Sequence, residues 1–343
     1  MTGPSLLPRW ATWVAALARA RSRARSHART RTRARSALVA AIAVTLLVAA
    51  CGSPSPTQAP AGSPASTAQN GPTGQPTARP RPTATALPTA SPAIAGPAIV
   101  GATQVACPGS APSAHRGRLV TGQSRNWAGY IVGVTKGHVT CVEGTWTQPA
   151  VRCSASDASV AIWVGIDGSS AVGGLPDASA TLAQTGTSGD CVNGRPQYAA
   201  WYEFLPDLRH IVQFHLPVAA GDRIWAQVRW LGKGKFMATL INLTQRVGTS
   251  QAWTLRGAPL LTAEWVVEDP AASCSGGSSC TFIALARFAP VTLTGAVTIS
   301  GSRYALGTAP FPYLRTTMYR SGHVLAQPSA LTSRGFSVAW KAT

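Results

Sequence analysis

Residues 260–270 read LLTAEWVVEDP, and they place three carboxylates inside what otherwise has the composition of a buried strand. Val, Trp and Leu favour a pleated, packed environment, yet Glu264, Glu268 and Asp269 interrupt them. In a strand, side chains i, i+2 and i+4 share a face. Glu264, Val266 and Glu268 therefore fall on one face, and Trp265 and Val267 on the other. Burying charge without a partner or a use is costly, so a chain with only 11 acidic residues is expected to use these. Asp269 faces away, toward the turn at Pro270.

The same two-residue alternation recurs outward from this stretch. Runs such as NWAGYIVGV, SVAIWVGID, QYAAWYEFL, RIWAQVRWL and VTLTGAVTI are separated by Gly, Pro, Asp and Asn, and no long segment of helical period intervenes. This pattern predicts an all-β fold, an antiparallel β-sandwich of a dozen or more strands in two packed sheets. Several strands pair an aliphatic face with one that carries Trp, Gln or carboxylates. Trp163 and Asp167 share a face, as do Trp201 and Glu203, and Leu182 and Gln184. Water alone rarely selects Trp; an aromatic-lined groove with a few polar groups does.

The first hundred residues read differently. Residues 1–36 contain nine Arg and no acid, and a 14-residue apolar run, Ala37 to Ala50, leads to Cys51. That run is shorter than the roughly 20 residues that span a bilayer as a helix. Residues 1–50 are read as a secretory signal, and Val48-Ala49-Ala50-Cys51 resembles a bacterial lipobox with Cys51 as the acylated residue. Residues 51–106, rich in Pro, Thr, Ala, Ser and Gly, are expected to form a disordered stalk, and 107–343 the β-domain. The formal charge of +19 falls to 19 Lys+Arg against 11 Asp+Glu from Cys107 onward. These cations are scattered rather than clustered, which argues against nucleic acid as a partner.

Six cysteines follow Cys51, and an even count in an exported chain points to disulfides. Cys274 and Cys280, flanking SGGSS, form the expected short-range pair. Cys107, Cys141, Cys153 and Cys191 allow three connectivities, among which the sequence does not choose. No metal-ligand spacing is present. No G-x-S-x-G elbow supports serine hydrolysis, and His210 and His215 point to opposite faces of their strand pattern. Two carboxylates, Glu203 and Glu268, would satisfy a glycosidase, so that class stays open.

NWAGY, WVGIDG, LAQTG, AWYEFLPD, GDRIWAQV, ATLINLT and AEWVVED occur in this order from Asn126 to Asp269. Together they resemble the glutamic peptidases called eqolisins, acid-active endopeptidases first described in fungi. The resemblance implies two roughly seven-stranded sheets in a concanavalin- or jelly-roll-like sandwich. It also implies a catalytic pair, Gln184 and Glu268, without metal or cofactor. Trp127, Trp163, Asp167, Trp201 and Glu203 would line the substrate groove. An ordinary glutamate, with a pKa of about 4.3, can draw a proton from water in mild acid. Glutamine stays neutral and offers N–H donors to an oxyanion. The family's acid just after QTG is replaced by Thr187-Ser188, and its aromatic pair after AWYE by Phe204-Leu205. Because acid would leave this basic domain strongly charged, its optimum is expected to be less acidic than that of the fungal enzymes. Expected partners are polypeptide substrates and, through Cys51, a membrane, with the chain acting as a monomer. The competing reading is a non-catalytic, lectin-like sandwich that binds carbohydrate or peptide.

Overall fold

The computed structural model describes residues 99–100, 103–113, 115–154, 157–171, 174–208, 211–275 and 279–341. The expected signal, Cys51 and nearly all of the stalk lie outside them. In chain order the strands are β1 (Ile99–Val100), β2 (Leu119–Ser124), β3 (Trp127–Gly133), β4 (Val139–Thr147), β5 (Val151–Arg152), β6 (Ala158–Ile166), β7 (Leu182–Val192), β8 (Arg195–Leu205), β9 (Val212–Phe214), β10 (Arg223–Gly232) and β11 (Lys235–Asn242). They continue with β12 (Val247–Thr254), β13 (Thr262–Glu268), β14 (Ala271–Ser275), β15 (Ser279–Phe282), β16 (Ala284–Leu285), β17 (Arg287–Phe288), β18 (Val291–Ile299), β19 (Ser302–Ala305), β20 (Tyr313–Arg320), β21 (His323–Pro328) and β22 (Phe336–Trp340). The all-β expectation holds.

Eighteen of these strands belong to one continuous hydrogen-bonded sheet. It contains two blocks. The groove block runs β2-β20-β3-β13-β6-β7-β8-β9, and the back block β1-β12-β11-β10-β4-β18-β19. Strand β18 joins them, because its first residues pair with β22 and the rest with β4.

The aliphatic faces of the two blocks meet in one core. Tyr130, Val132, Ile162, Val164, Trp265 and Val267 from the groove block cluster with Val142, Ile224, Ala226, Phe236 and Leu240 from the back block. Trp265 alone removes roughly 200 Å² from water, on the order of 5 kcal/mol by transfer accounting and an upper figure. Polar tips in the core are tied across the blocks. Trp265 Nε1 donates to the Glu143 carbonyl at 2.9 Å, and Trp146 Nε1 to Thr187 Oγ1 at 3.0 Å.

Disulfides Cys107–Cys141 and Cys153–Cys191 close sequence separations of 34 and 38 residues. Chain-entropy accounting credits loops of that length with about 3–4 kcal/mol each. Cys107 sits in a strap that crosses the outer face of the back block. Gln227 Nε2 donates to the Val105 carbonyl (2.9 Å), the Cys107 amide to Glu143 Oε2 (2.6 Å), and Thr298 Oγ1 to the Pro108 carbonyl (2.5 Å). Arg303 completes the clamp by pairing with the other Glu143 oxygen. Strand β1 and Val105 thus attach to the sheet upstream of Cys107. Cys274 and Cys280 stand directly opposite in the β14–β15 hairpin, but their side chains lie outside the described residues.

Candidate active site

The second face of the groove block carries the polar set. Directly paired residues share a face, so the register fixes its rows. Gln184 stands opposite Glu203 on one side and Gly165 on the other, and Gly165 stands opposite Glu264. Four residues along, Ser188, Ala161, Glu268 and Trp127 form a parallel row. Gln184 and Glu268 therefore lie on the same face, on the two strands that flank β6.

Between those rows the indole of Trp163 lies along β6. Its neighbours across the strands are Val266 and Gly186. A Cβ on Gly186 would come within 2.1 Å of the Ile162 carbonyl and 2.6 Å of Trp163 Cβ. One on Gly165 would meet Trp163 Cζ3 at 2.9 Å and Leu182 Cδ1 at 3.0 Å. The glycines of QTG and WVG thus create the trough in which this ring lies flat. Gly165→Ala should push the ring off Glu268 and, because the new methyl also meets the Ala183 carbonyl at 3.2 Å, lower stability by about 1–3 kcal/mol. We expect kcat/KM to fall about tenfold to a hundredfold, the scale of small misplacements near a reacting centre, with a steady-state assay and a thermal melt reading the two effects apart.

Glu268 keeps part of its surface open while donors enclose its carboxyl. Trp163 Nε1 donates to Oε2 at 2.8 Å, and Asn126 Nδ2 to Oε1 at 2.8 Å. Asn126 is itself fixed, because the Ser124 hydroxyl donates to its Oδ1 (3.3 Å) and the Asp269 amide to its carbonyl (2.8 Å). Burial pushes the Glu268 carboxyl up to about 7 and the Asp269 charge adds to this, whereas the Trp127, Trp163 and Asn126 donors pull it down. An ionised carboxylate has about four lone-pair sites, so the Trp163 and Asn126 bonds leave room for a water.

Gln184 Nε2 donates to Glu203 Oε2 at 2.7 Å, while Gln184 Oε1 and Glu203 Oε1 have no hydrogen-bond partner. Burial raises Glu203 to about 8, the Gln184 donor opposes this, and the charge of Glu268 raises it further. The two carboxyls therefore sense each other across one hollow.

Trp127, Trp163 and Trp201 gather here: Trp127 and Trp163 meet edge to face at 5.1 Å, and Trp163 and Trp201 share a cluster with Leu182, Leu205, Ile211 and Val266. The cover is tight, leaving Gln184 3% exposed. Asp167 lies on the same face but fully buried, accepting from the Leu260 and Leu261 amides (3.0 and 2.8 Å) and Thr181 Oγ1 (3.3 Å). It ties the end of β6 to the lead-in of β13, and burial raises it to about 6 against those donors. Glu264 is also fully buried, and burial holds it well above the usual range, with the Thr262 side chain opposing this and the Asp167 charge adding to it. Asp269 faces away, as alternation requires, and forms a buried ion pair with Arg320 (2.7 Å) rather than serving the turn. The residue that sequence reading missed is Asn126. Its signal was its place directly before Trp127, in the turn between two strands.

This chain has recognisable relatives. Residues 125–340 match the Peptidase A4 family. Aspergillopepsin-2 of Aspergillus niger is 31% identical over 200 residues, covering 52% of this chain and 65% of that protein. Scytalidopepsin B of Scytalidium lignicola is 32% identical over 168 residues, covering 48% and 59%. The chain thus spans about three fifths of the length of these curated relatives. The crystal structure of scytalido-glutamic peptidase with a peptide-based transition state analog superposes with a TM-score of 0.53 at 25% identity, covering 64% of this chain and 99% of that one. The family match takes in well over half of the sequence and every strand of the groove block apart from β2, so the chain belongs to the Peptidase A4 family.

Proposed function

We propose that this chain is a glutamic endopeptidase that hydrolyses polypeptides in the groove holding Glu268 and Gln184. The supporting observation is the shared hollow: Glu268, fixed by Asn126 and Trp163, shares one face with the Gln184–Glu203 pair and is felt electrostatically at Glu203. Glu268 takes a proton from a water at its remaining lone pair. The hydroxide oxygen bonds to the scissile carbonyl carbon, and Gln184 Nε2–H donates to the oxyanion. Protonated Glu268 then passes its proton to the leaving nitrogen as the C–N bond breaks.

Glu203 gives the amide its direction. Below pH 8 its carboxyl is largely protonated and gains one O–H donor. The two unpartnered atoms, Glu203 Oε1 and Gln184 Oε1, can then be joined by that proton. The acid and the amide close a two-bond ring, and the second Nε2–H of Gln184 is left for the substrate. Half-buried Trp127 meets the extended peptide while the fully buried Trp163 and Trp201 pack beneath it, and Asp167 holds the start of β13. Because Gln184 is covered, substrate entry requires the side chains packed over it to move aside. We read the two blocks as the two layers of a sandwich. The protein is exported, consistent with the disulfides Cys107–Cys141 and Cys153–Cys191, and is tethered through acylated Cys51.

Activity then needs Glu268 ionised and Glu203 protonated. As pH rises, kcat/KM should climb tenfold per unit toward the Glu268 pKa of about 7 and fall once Glu203 ionises near 8. The expected profile is a bell whose maximum lies between those two values, at neutral to weakly alkaline pH. Measuring peptide cleavage against pH, with a chelator and a serine reagent as controls, tests the reading. A maximum at pH 3, inhibition by either control, or glycan binding without cleavage would overturn it.

A further inference from the structure

At one end of the back block the loops are basic. The β10–β11 turn carries Lys233 and Lys235, both exposed, and bends through Gly232, Lys233 and Gly234 at positive φ. Beside it lies exposed Arg256, since the Leu255 amide donates to the Gly234 carbonyl at 2.8 Å. The β3–β4 loop adds exposed Lys136; its exit, Val139, is tied to the same linker through the Leu260 carbonyl (2.8 Å). None of these four cations forms an ion pair among the described residues. Loops 134–138, 231–235, 255–258 and 300–302 contain no Asp or Glu. Two exposed carboxylates near this end, Asp177 and Asp207, sit on loops of the groove block instead.

The turn also carries apolar surface. Leu231 at its tip is 44% exposed, and Trp230 and Trp253 lie half-buried at the rim of the core beside it. Scattered cations alone would suit any polyanion. Cations around an exposed leucine and rim tryptophans suit a headgroup layer, where an aromatic body and a charged tip both find partners. The path of the chain points the same way. Ile99 pairs with Gly248 and Val100 with Val247, so the chain enters β1 from the Thr254 end of β12, and Thr254 stands opposite Lys235.

We propose that this loop end is a docking surface for an anionic lipid bilayer. The chain therefore enters the described domain beside the loops that carry the cations. Strand β13 starts beside these loops and ends at Glu268, about 20 Å away at strand rise. Docking therefore turns the Glu268 end of the groove away from the lipid and leaves it open to solvent. This inference does not depend on the hydrolytic mechanism.

Hydrogen–deuterium exchange on the full chain tests it, with vesicles of phosphatidylcholine alone or mixed with phosphatidylglycerol. Amides of 231–235 and 255–257 should be protected by the anionic vesicles only, and the protection should weaken with salt. At roughly fivefold per cation near an anionic surface, the triple variant K233E/K235E/R256E should need at least about a hundredfold more anionic lipid for half-protection. All three positions are exposed, so exchange in the core strands and peptide cleavage in solution should be unchanged. Equal protection by neutral vesicles, an unshifted midpoint in the variant, or protection by soluble polyphosphate but not by vesicles would overturn the proposal.

Discussion

Replacing Glu268 by Gln should reduce kcat/KM for peptide cleavage by about a thousandfold or more while the domain stays folded. The glutamine keeps the size of the side chain and loses the ability to accept and return a proton, a role worth about 10²–10⁴ in rate. Its amide nitrogen must face one of the two donors, Trp163 Nε1 or Asn126 Nδ2, so a stability loss of about 1 kcal/mol is expected. Gln184→Ala should cost about 10²–10³ by removing an oxyanion donor. The double variant should be little worse than Glu268→Gln alone, because groups that act in one step are not additive. The measurement is kcat/KM for all three variants, each with a thermal melt. Cleavage retained within tenfold in both single variants would remove the mechanism, whereas no cleavage by the parent chain would leave the binding-module reading standing.

How far could the groove be read in advance? Alternation along 260–270 set Glu264, Val266 and Glu268 on one face and Trp265 and Val267 on the other, and the register reproduces this because one aliphatic face had to meet the core. Alternation says which face a residue takes but not which strand lies beside it. The donors of Glu268 come from 142 and 105 residues away, so the place of Asn126 before Trp127 marked a turn but not its partner. The same holds for the cysteines. Cys107 reaches Cys141 because the strap crosses the back block, and Cys153 reaches Cys191 because the chain beyond β5 and the end of β7 meet; neither follows from spacing. Sequence also assigns each carboxylate an ordinary pKa. Burial, a property of the packed layers, raises six of them: Asp167, Asp190, Glu203, Glu264, Glu268 and Asp269.

Those six carboxyls, of 11 acidic residues in the chain, should make the fold most stable in mild acid and weaker toward alkaline pH. The sign follows from proton counting. Between its unfolded pKa, about 4, and its higher folded value, each group holds a proton in the native state that the unfolded chain has released. Unfolding then releases protons, and stability falls by about 1.4 kcal/mol per group per pH unit. The loss runs to about pH 6 for Asp167, about 7 for Glu268 and Asp269, and about 8 for Glu203. Below pH 4 this gain is complete, and repulsion among 19 Lys and Arg from Cys107 onward takes over. Two groups titrating over two pH units remove roughly 5 kcal/mol, or about 10–20 °C in melting temperature for a domain of this size. Glu264 isolates the effect, because it is fully buried and contacts no reacting group in the proposed step. Glu264→Gln keeps its shape and cannot ionise. It should melt within a few degrees of the parent at pH 5 and several degrees above it at pH 8. Melting curves of both chains across that range check the sign. A flat parent profile, or a Glu264→Gln chain equally weakened at both pH values, would mean that these carboxyls are ionised in the fold after all, and the Glu268 and Glu203 values behind the expected bell-shaped activity would fall with them.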